Sequence, residues 1–506
     1  MSVAVPSSSR SSEQRFQHYL DLLADAVGHA DRREPFRLYT TGLLLPGERK
    51  SVEPMAARVD PRNVRSRHQS LHHFVADADW SDAAVLAAVR DLVLPTFASS
   101  GGVSAWIVDE TGFPKKGKHS VGVARQYCGQ IGKQDNCRVA VSLSVANTDA
   151  SLPIAFQLYL PQEWAEDSAR RQKAGVPDEV GFQTKPEIAL AQIRQAVADG
   201  VPPGPVLADV VYGNDTRFRE GVTALGLRYA VAIQAHTSIW REGQAPLPPA
   251  VYKGTGRPPK LLRRDEQSRP VSVQQAALDL PASAWRSVTW REGAAGPLRS
   301  RFARLRVRPA HRDYERDQLR EPEWLLIEWP KGEAAPTKFF LSTLPLALSL
   351  RQLVETVKRR WRIERDYQEL KQELGLGHYE GRGWRGFHHH ATLCLAAYGF
   401  LVAERAAFPP SGAAAPFRLK APRLPKGFQP RGAAGTGRAT SSTLDGYYAG
   451  TVAGSPGAAP IALPLLSPVP LHGESVKPRS TCNTVVLRRS ATAVRHRRGQ
   501  KSCSRI

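Results

Sequence analysis

Residues 104–117 read SAWIVDETGFPKKG, an apolar run that ends in Asp109 just before a Gly/Pro turn. The spacing predicts a buried strand that opens to solvent at the carboxylate, a place where the strand fixes a side chain and the loop leaves room for a substrate. A strand-end aspartate that only caps a turn gives the same pattern. Residues 206–214, VLADVVYGN, repeat the arrangement with Asp209 after an apolar run and before Gly213, and the recurrence favours a pair of functional carboxylates.

Outward from these two segments the chain alternates. The stretches HSVGVARQY, RVAVSLSVAN and PIAFQLYLP follow the first strand as a meander, and a helix over residues 185–198 leads to the strand containing Asp209. A helix over residues 215–225 and a strand, RYAVAIQ, come next. Strands, helix, strand, helix, strand is the order of a mixed α/β sheet; in an RNase H-like fold the first strand lies beside the strand that follows the first helix, which would bring Asp109 and Asp209 together. Residues 241–345 break the alternation with strand-like SRFARLRVRP, PEWLLIEWPKG and TKFFLSTLP, read as a β-rich insertion. In it Arg304, Arg306 and Arg308 alternate with Leu305 and Val307, so one strand face would be cationic, facing DNA or merely solvent.

The third informative segment is residues 358–376, KRRWRIERDYQELKQELGL. On a helix Glu364 and Lys371 share a face, and Arg359, Arg360, Arg362 and Arg365 form a cationic collar. A surface helix with internal ion pairs fits too; the sharper reading is a carboxylate delivered to a metal site beside phosphate-holding groups. Residues 346–405 are read as helical throughout. Residues 388–390, three consecutive histidines, point in different directions on a helix, so they are read as packing or phosphate contacts and not as a metal site.

The remaining segments set the context. Residues 1–100 have helical spacing, with Ser81 as an N-cap, and RNVRSRHQSLHHF is rich in cationic and hydrogen-bonding groups, as in a DNA-binding module or a solvated helical face. From residue 406 to 506 the composition is Ala, Gly, Pro, Ser and Arg without periodicity, which is read as a disordered tail. The 506 residues carry 70 Lys and Arg against 47 Asp and Glu, a formal charge of +23, and a polyanion is the implied partner. No apolar run is long enough to span a membrane, and MSVAVPSSSR lacks a signal-peptide core, so a cytoplasmic protein with no membrane partner is expected. Five scattered cysteines suggest neither disulfides nor a zinc site.

The three acidic segments together resemble the signature of DDE transposases, in particular the insertion-sequence seven-hundred-and-one family, within a larger group whose last motif is Y-x2-R-x3-E-x6-K. That motif assigns Arg360, Glu364 and Lys371; the tyrosine position falls on Val357, a departure for which Tyr367 or Tyr379 could substitute. GLLLPGERKSVEPMA, SLHHFVADADW, GFQTKPEIAL and YEGRGWRGFHHHATLCLAAYGFL extend the resemblance over about residues 15–405, while the tail departs from the family's ending. The resemblance implies an RNase H-like fold in which Asp109, Asp209 and Glu364 hold two Mg2+ ions, with Mn2+ as a substitute. It implies cleavage at the terminal inverted repeats and strand transfer into target double-stranded DNA by a homodimer in a synaptic complex, nucleoid-associated when bound. Arg360, Lys371 and Arg362 would grip phosphates. A degenerate copy that only binds DNA, or a nuclease that never joins, would share most of these features.

Overall fold

A computed structural model of the chain describes residues 11–98, 101–293 and 296–408. The tail from residue 409, and the expectation of disorder attached to it, lie outside the described residues. Helices come first, as the spacing predicts: α1 (Ser12–Ala24), α2 (Ala30–Leu44), α3 (Val52–Val59), α4 (Val64–Ala76) and α5 (Asp82–Ala98). The Ser81 hydroxyl accepts the Ala84 N–H at 3.2 Å ahead of α5, the N-cap read from the sequence.

The meander is β1 (Ala105–Pro114), β2 (Ala124–Cys128), β3 (Lys133–Ala146) and β4 (Ser151–Leu158). Short helices α6 (Gln162–Ala165) and α7 (Ser168–Ala174) precede α8 (Lys185–Ala198), whose start is set by a Thr184–Glu187 capping box. Then come β5 (Val206–Ala208), α9 (Val210–Gly213), α10 (Thr216–Ala224) and β6 (Tyr229–Ile233). β1 pairs in parallel with β5, and β5 with β6, so the first strand and the strand leading to Asp209 are neighbours. This is the mixed RNase H-like sheet, with β2 added as a short hairpin partner on β3.

Between the second aspartate and the glutamate lie β7 (Ser238–Arg241), β8 (Val271–Ser272), α11 (Val273–Leu278), β9 (Arg286–Gly293), β10 (Gly296–Pro309), β11 (Glu323–Trp329) and β12 (Lys338–Ser342). These strands do not form a sheet of their own. β12 pairs antiparallel with β6, and the order runs β2-β3-β1-β5-β6-β12-β11-β10-β7-β8 in one sheet, with β4 on β3 and β9 on β10.

The chain closes with α12 (Leu350–Lys358), α13 (Trp361–Gln372) and α14 (Trp384–Ala407). Residue alternation along β1 and β5 divides the core between two faces. Trp106, Val108 and Val206 join α8 and α14 on one side. Ile107 and Leu207 pack on the other against Leu353, Val354 and Val357 of α12 and Ile363 and Tyr367 of α13. Asp109 and Asp209 are two residues beyond Ile107 and Leu207, so the strand period sends both carboxylates toward α13.

Candidate active site

β1 does not end at Asp109: its pairing with β3 continues through Pro114, with Asp109 opposite Ser142. What ends there is the pairing with β5, whose register stops at Ile107 and Leu207. The sheet therefore opens on one side of β1 at the carboxylate. Asp109 is 9% exposed, and Asp209 begins α9, its Oδ1 accepting the Val211 N–H at 2.9 Å. Gly213 closes this turn against β6. A Cβ there would lie 1.8 Å from the Ala232 carbonyl oxygen, which only glycine permits.

α13 is carried to these carboxylates by a break that the sequence pattern did not show. Arg360 and Ile363 donate their N–H groups three residues back, to Val357 and Arg360, in a tightened turn that separates α12 from α13. The Tyr367 hydroxyl meets Ser142 Oγ at 2.8 Å, and Asp366 accepts from Ser151 Oγ at 2.6 Å and Tyr398 Oη at 2.9 Å, which pins α13 to β3, β4 and α14. Burial pushes the Asp366 carboxyl up to about 6. Tyr367 is thus committed to Ser142, and Val357 is buried against β1 and β5.

In this setting Arg360 joins the acids. Its Nη1 donates to Asp109 Oδ2 at 2.9 Å and its Nη2 to Glu364 Oε1 at 3.1 Å. Asp109 and Glu364 therefore meet through a guanidinium, and among the described residues no group of three or more His, Cys, Asp or Glu is drawn close enough to hold a metal ion. Burial pushes the Asp109 carboxyl up to about 7, Asp209 adds to the rise and Arg360 opposes it. Carboxylate oxygens are the donors that a hard divalent cation takes, and here those of Asp109 and Glu364 are spaced apart by the Arg360 guanidinium.

The other cations of the motif are placed differently. Lys371 donates to the Gly112 carbonyl at 2.7 Å and to Gln130 Oε1 at 3.2 Å, and burial pushes its amine down to about 8. Arg362 Nη1 donates to the Asp149 carbonyl at 2.9 Å, on the far side of α13 from Glu364. Arg359 is held by Ser104 and Arg365 by Glu369, so of the collar only Arg360 reaches the acids. Arg304 and Arg306 lie over the Trp324 ring and donate to the Leu348 and Pro322 carbonyls, and Arg308 donates to Arg320 and Gln244. Their strand is four places from β5, about 20 Å across the sheet.

Two neighbours escaped sequence reasoning. Glu110 points to the opposite face from Asp109, where Lys185 lies at 2.6 Å and the Tyr212 hydroxyl at 3.3 Å; the adjacency of Asp109 and Glu110 was the available signal. Arg291 of β9 stacks on Trp361 at 3.8 Å and feels the Glu364 charge, so the insertion's hairpin returns to the start of α13. The histidines are packing groups: His388 accepts the Leu158 N–H at 3.1 Å, His389 stacks on Trp80 at 3.7 Å, and His390 meets Tyr39 and the Gly375 carbonyl.

A family model described as DDE superfamily endonuclease matches residues 22–297, which include both aspartates and stop short of Glu364. The chain is also 33% identical over 204 residues to a protein of Microchaete diplosiphon described as a probable transposase for insertion sequence element IS701. The aligned stretch is 40% of this chain and 49% of that relative, so the chain spans about half the length of the protein it matches.

Proposed function

From its membership of the DDE superfamily endonucleases, to which this chain belongs, we propose that the protein is a transposase that cuts double-stranded DNA at the ends of an insertion sequence and joins the freed end to target DNA. The observation that carries the reading is the convergence of Asp109 and Asp209, from neighbouring parallel strands, on the face where α13 presents Arg360 and Glu364.

Asp109, Asp209 and Glu364 are the proposed ligands of Mg2+, with Mn2+ as a substitute. When bound, two such ions supply stabilisation of the attacking and leaving oxygens of a phosphodiester. Asp109 is held rigidly by β1 and β3, and Asp209 by its own cap on α9, so both carboxylates are preorganised. Arg360 exchanges its carboxylate contacts for phosphate oxygens, for which its planar fork is suited. Lys371, at Gly112 three residues along β1 from Asp109, holds the flanking phosphate, and Arg362 extends the cationic side of α13. Arg304, Arg306 and Arg308 retain donors beyond those spent on carbonyls, which suits them to a more distant stretch of the DNA backbone.

We further read residues 1–100 as the DNA-binding region and residues 101–240 with 346–405 as the catalytic core. The strands of residues 241–345 are an insertion that extends its sheet. A synaptic homodimer acting on two ends fits the chemistry, and a cytoplasmic protein on the nucleoid fits the charge. Among the described residues no helix is long and apolar enough to cross a membrane.

The test incubates the protein and Asp109→Ala with duplex DNA spanning both flanks of the gene and a target plasmid, in Mg2+. The reading expects cuts at the flanks and joined products from the wild type alone. Cutting without joining would leave a nuclease, and DNA binding with neither product would leave a non-catalytic binding protein.

A further inference from the structure

We propose that α3 and α4 form a helix-turn-helix and that α4 reads the base sequence of duplex DNA at the ends of the element. The source of that DNA rests on the transposase reading; the recognition element, its face and its residues do not.

Four residues, 60–63, connect Val59 of α3 to Val64 of α4, the turn length of this motif. The Asp60 carboxylate accepts from Asn63 Nδ2 at 3.2 Å and from Arg67 Nε at 2.9 Å, and Arg67 also pairs with Glu34 of α2 at 2.9 Å. One arginine therefore fixes α4 against the turn and against α2. Beneath it Phe36, Leu43, Met55, Leu71 and Phe74 form one core. Gly42 lets α2 approach α3 closely, since a Cβ there would stand 3.2 Å from that of Met55. The outer face is consequently presented on a rigid support.

That face is a single stripe. Arg62, Arg65, Ser66, Gln69, His72 and His73 are all exposed and recur at three- and four-residue spacing. Residues 61–76 contain no Asp or Glu. In α2 the exposed Arg33 pairs with Asp25 and the half-buried Arg37 with Asp21, at 2.8 and 2.9 Å. Arg62 and Arg65 make no ion pair among the described residues. Acidic groups border the C-terminal half of α4, where Asp31, Asp77 and Asp79 line a cavity with Gln69 and His73, so the cationic potential is concentrated at Arg62 and Arg65, over the turn and the first helical turn.

This distribution matches a polyanionic rod approaching the N-terminal half of α4, which is where a recognition helix touches base edges. Arginine offers a bidentate pair to guanine and glutamine one to adenine. The face also adjoins the catalytic region: His68 and His72 of α4 line the same cavity, of about 280 Å3, as Arg49 and His378, and His378 follows α13 by six residues. DNA seated on α4 thus borders the segment that continues from the helix bearing Glu364 and Lys371.

The test measures fluorescence anisotropy of the full chain with short duplexes tiled across the DNA flanking the coding sequence, and with shuffled duplexes. Arg65→Ala and Gln69→Ala remove exposed groups without hydrogen-bond or ion-pair partners among the described residues, and Arg37→Ala serves as a basic control outside α4. The α4 variants are expected to lose roughly tenfold to a hundredfold of the preference for the flanking duplex, Gln69→Ala with unchanged binding to shuffled DNA, while Arg37→Ala keeps the preference. A wild type that binds without preference, or α4 variants that retain it, overturns the inference. A wild type that neither binds nor cuts any duplex overturns the transposase reading itself.

Discussion

Arg360 Nη1 stands 2.9 Å from Asp109 Oδ2, across 251 residues of chain, and the same guanidinium reaches Glu364 at 3.1 Å. The arginine is thus a counter-ion shared by both carboxylates. Replacing it by glutamine leaves the carboxylates unbalanced, so Mn2+ bound to the DNA-free protein, followed by electron paramagnetic resonance, should tighten by about two- to fivefold, the scale of a partly exposed ion pair. Cleavage should fall in the same variant because the phosphate grip is lost. Unchanged or weaker Mn2+ binding would show that Arg360 does not compete for these oxygens.

Asp109→Asn and Glu364→Gln should each reduce end cleavage by about a thousandfold or more while the affinity for DNA stays within a few-fold of wild type. The stability response should differ between them. Asp109 is 9% exposed and anchored in β1, whereas the Glu364 side chain is 57% exposed, so only the first variant should change the midpoint of urea unfolding. A Glu364→Gln variant that still cuts at the wild-type rate would remove it from the proposed triad.

Lys371 is half-buried, with its amine on the Gly112 carbonyl and pushed down to about 8 by burial. If it neutralises a phosphate, Lys371→Gln should lower the slope of log affinity against log salt by about one. An unchanged slope with a lowered melting temperature would make the lysine a strut between α13 and β1.

Gly213→Ala places a methyl group on the Ala232 carbonyl, and backbone at that point cannot yield as a side chain could. The expected cost is about 1–3 kcal/mol in urea unfolding. Because Gly213 N–H donates to the Asp209 carbonyl, cleavage should fall further than the stability loss explains. Full activity would mean that Asp209 tolerates displacement of α9.

His388 donates from Nδ1 to the Trp384 carbonyl and accepts at Nε2 from the Leu158 N–H, an arrangement that requires the neutral ring. Burial, the leading cause, pushes it down to about 4. Below the unfolded value near 6.5 the unfolded chain takes a proton that the folded chain refuses, so this residue's contribution is lost as pH falls from about 6.5 toward 4 and amounts to about 2 kcal/mol by pH 5. His388→Gln should flatten that part of the stability profile. Parallel curves for variant and wild type would rule the residue out.

The amino-acid sequence determined whatever depends on near neighbours along the chain. Thr184 and Glu187 place the start of α8, the apolar runs before Asp109 and Asp209 make them strand residues, and the R-x3-E-x6-K spacing sets Arg360, Glu364 and Lys371 on one helix. Tertiary structure decided which distant partner a charge takes. Arg359, Arg360, Arg362 and Arg365 look equivalent in the sequence, yet the first three meet Ser104, Asp109 and Asp149 from other elements, while Arg365 takes the Glu369 that its own helix supplies four residues on. Likewise nothing local says that β12 would pair with β6 and make the inserted strands part of the catalytic sheet. Strand pairing and ion pairing are satisfied across hundreds of residues, and their geometry depends on the packing of both partners, which no window of sequence contains.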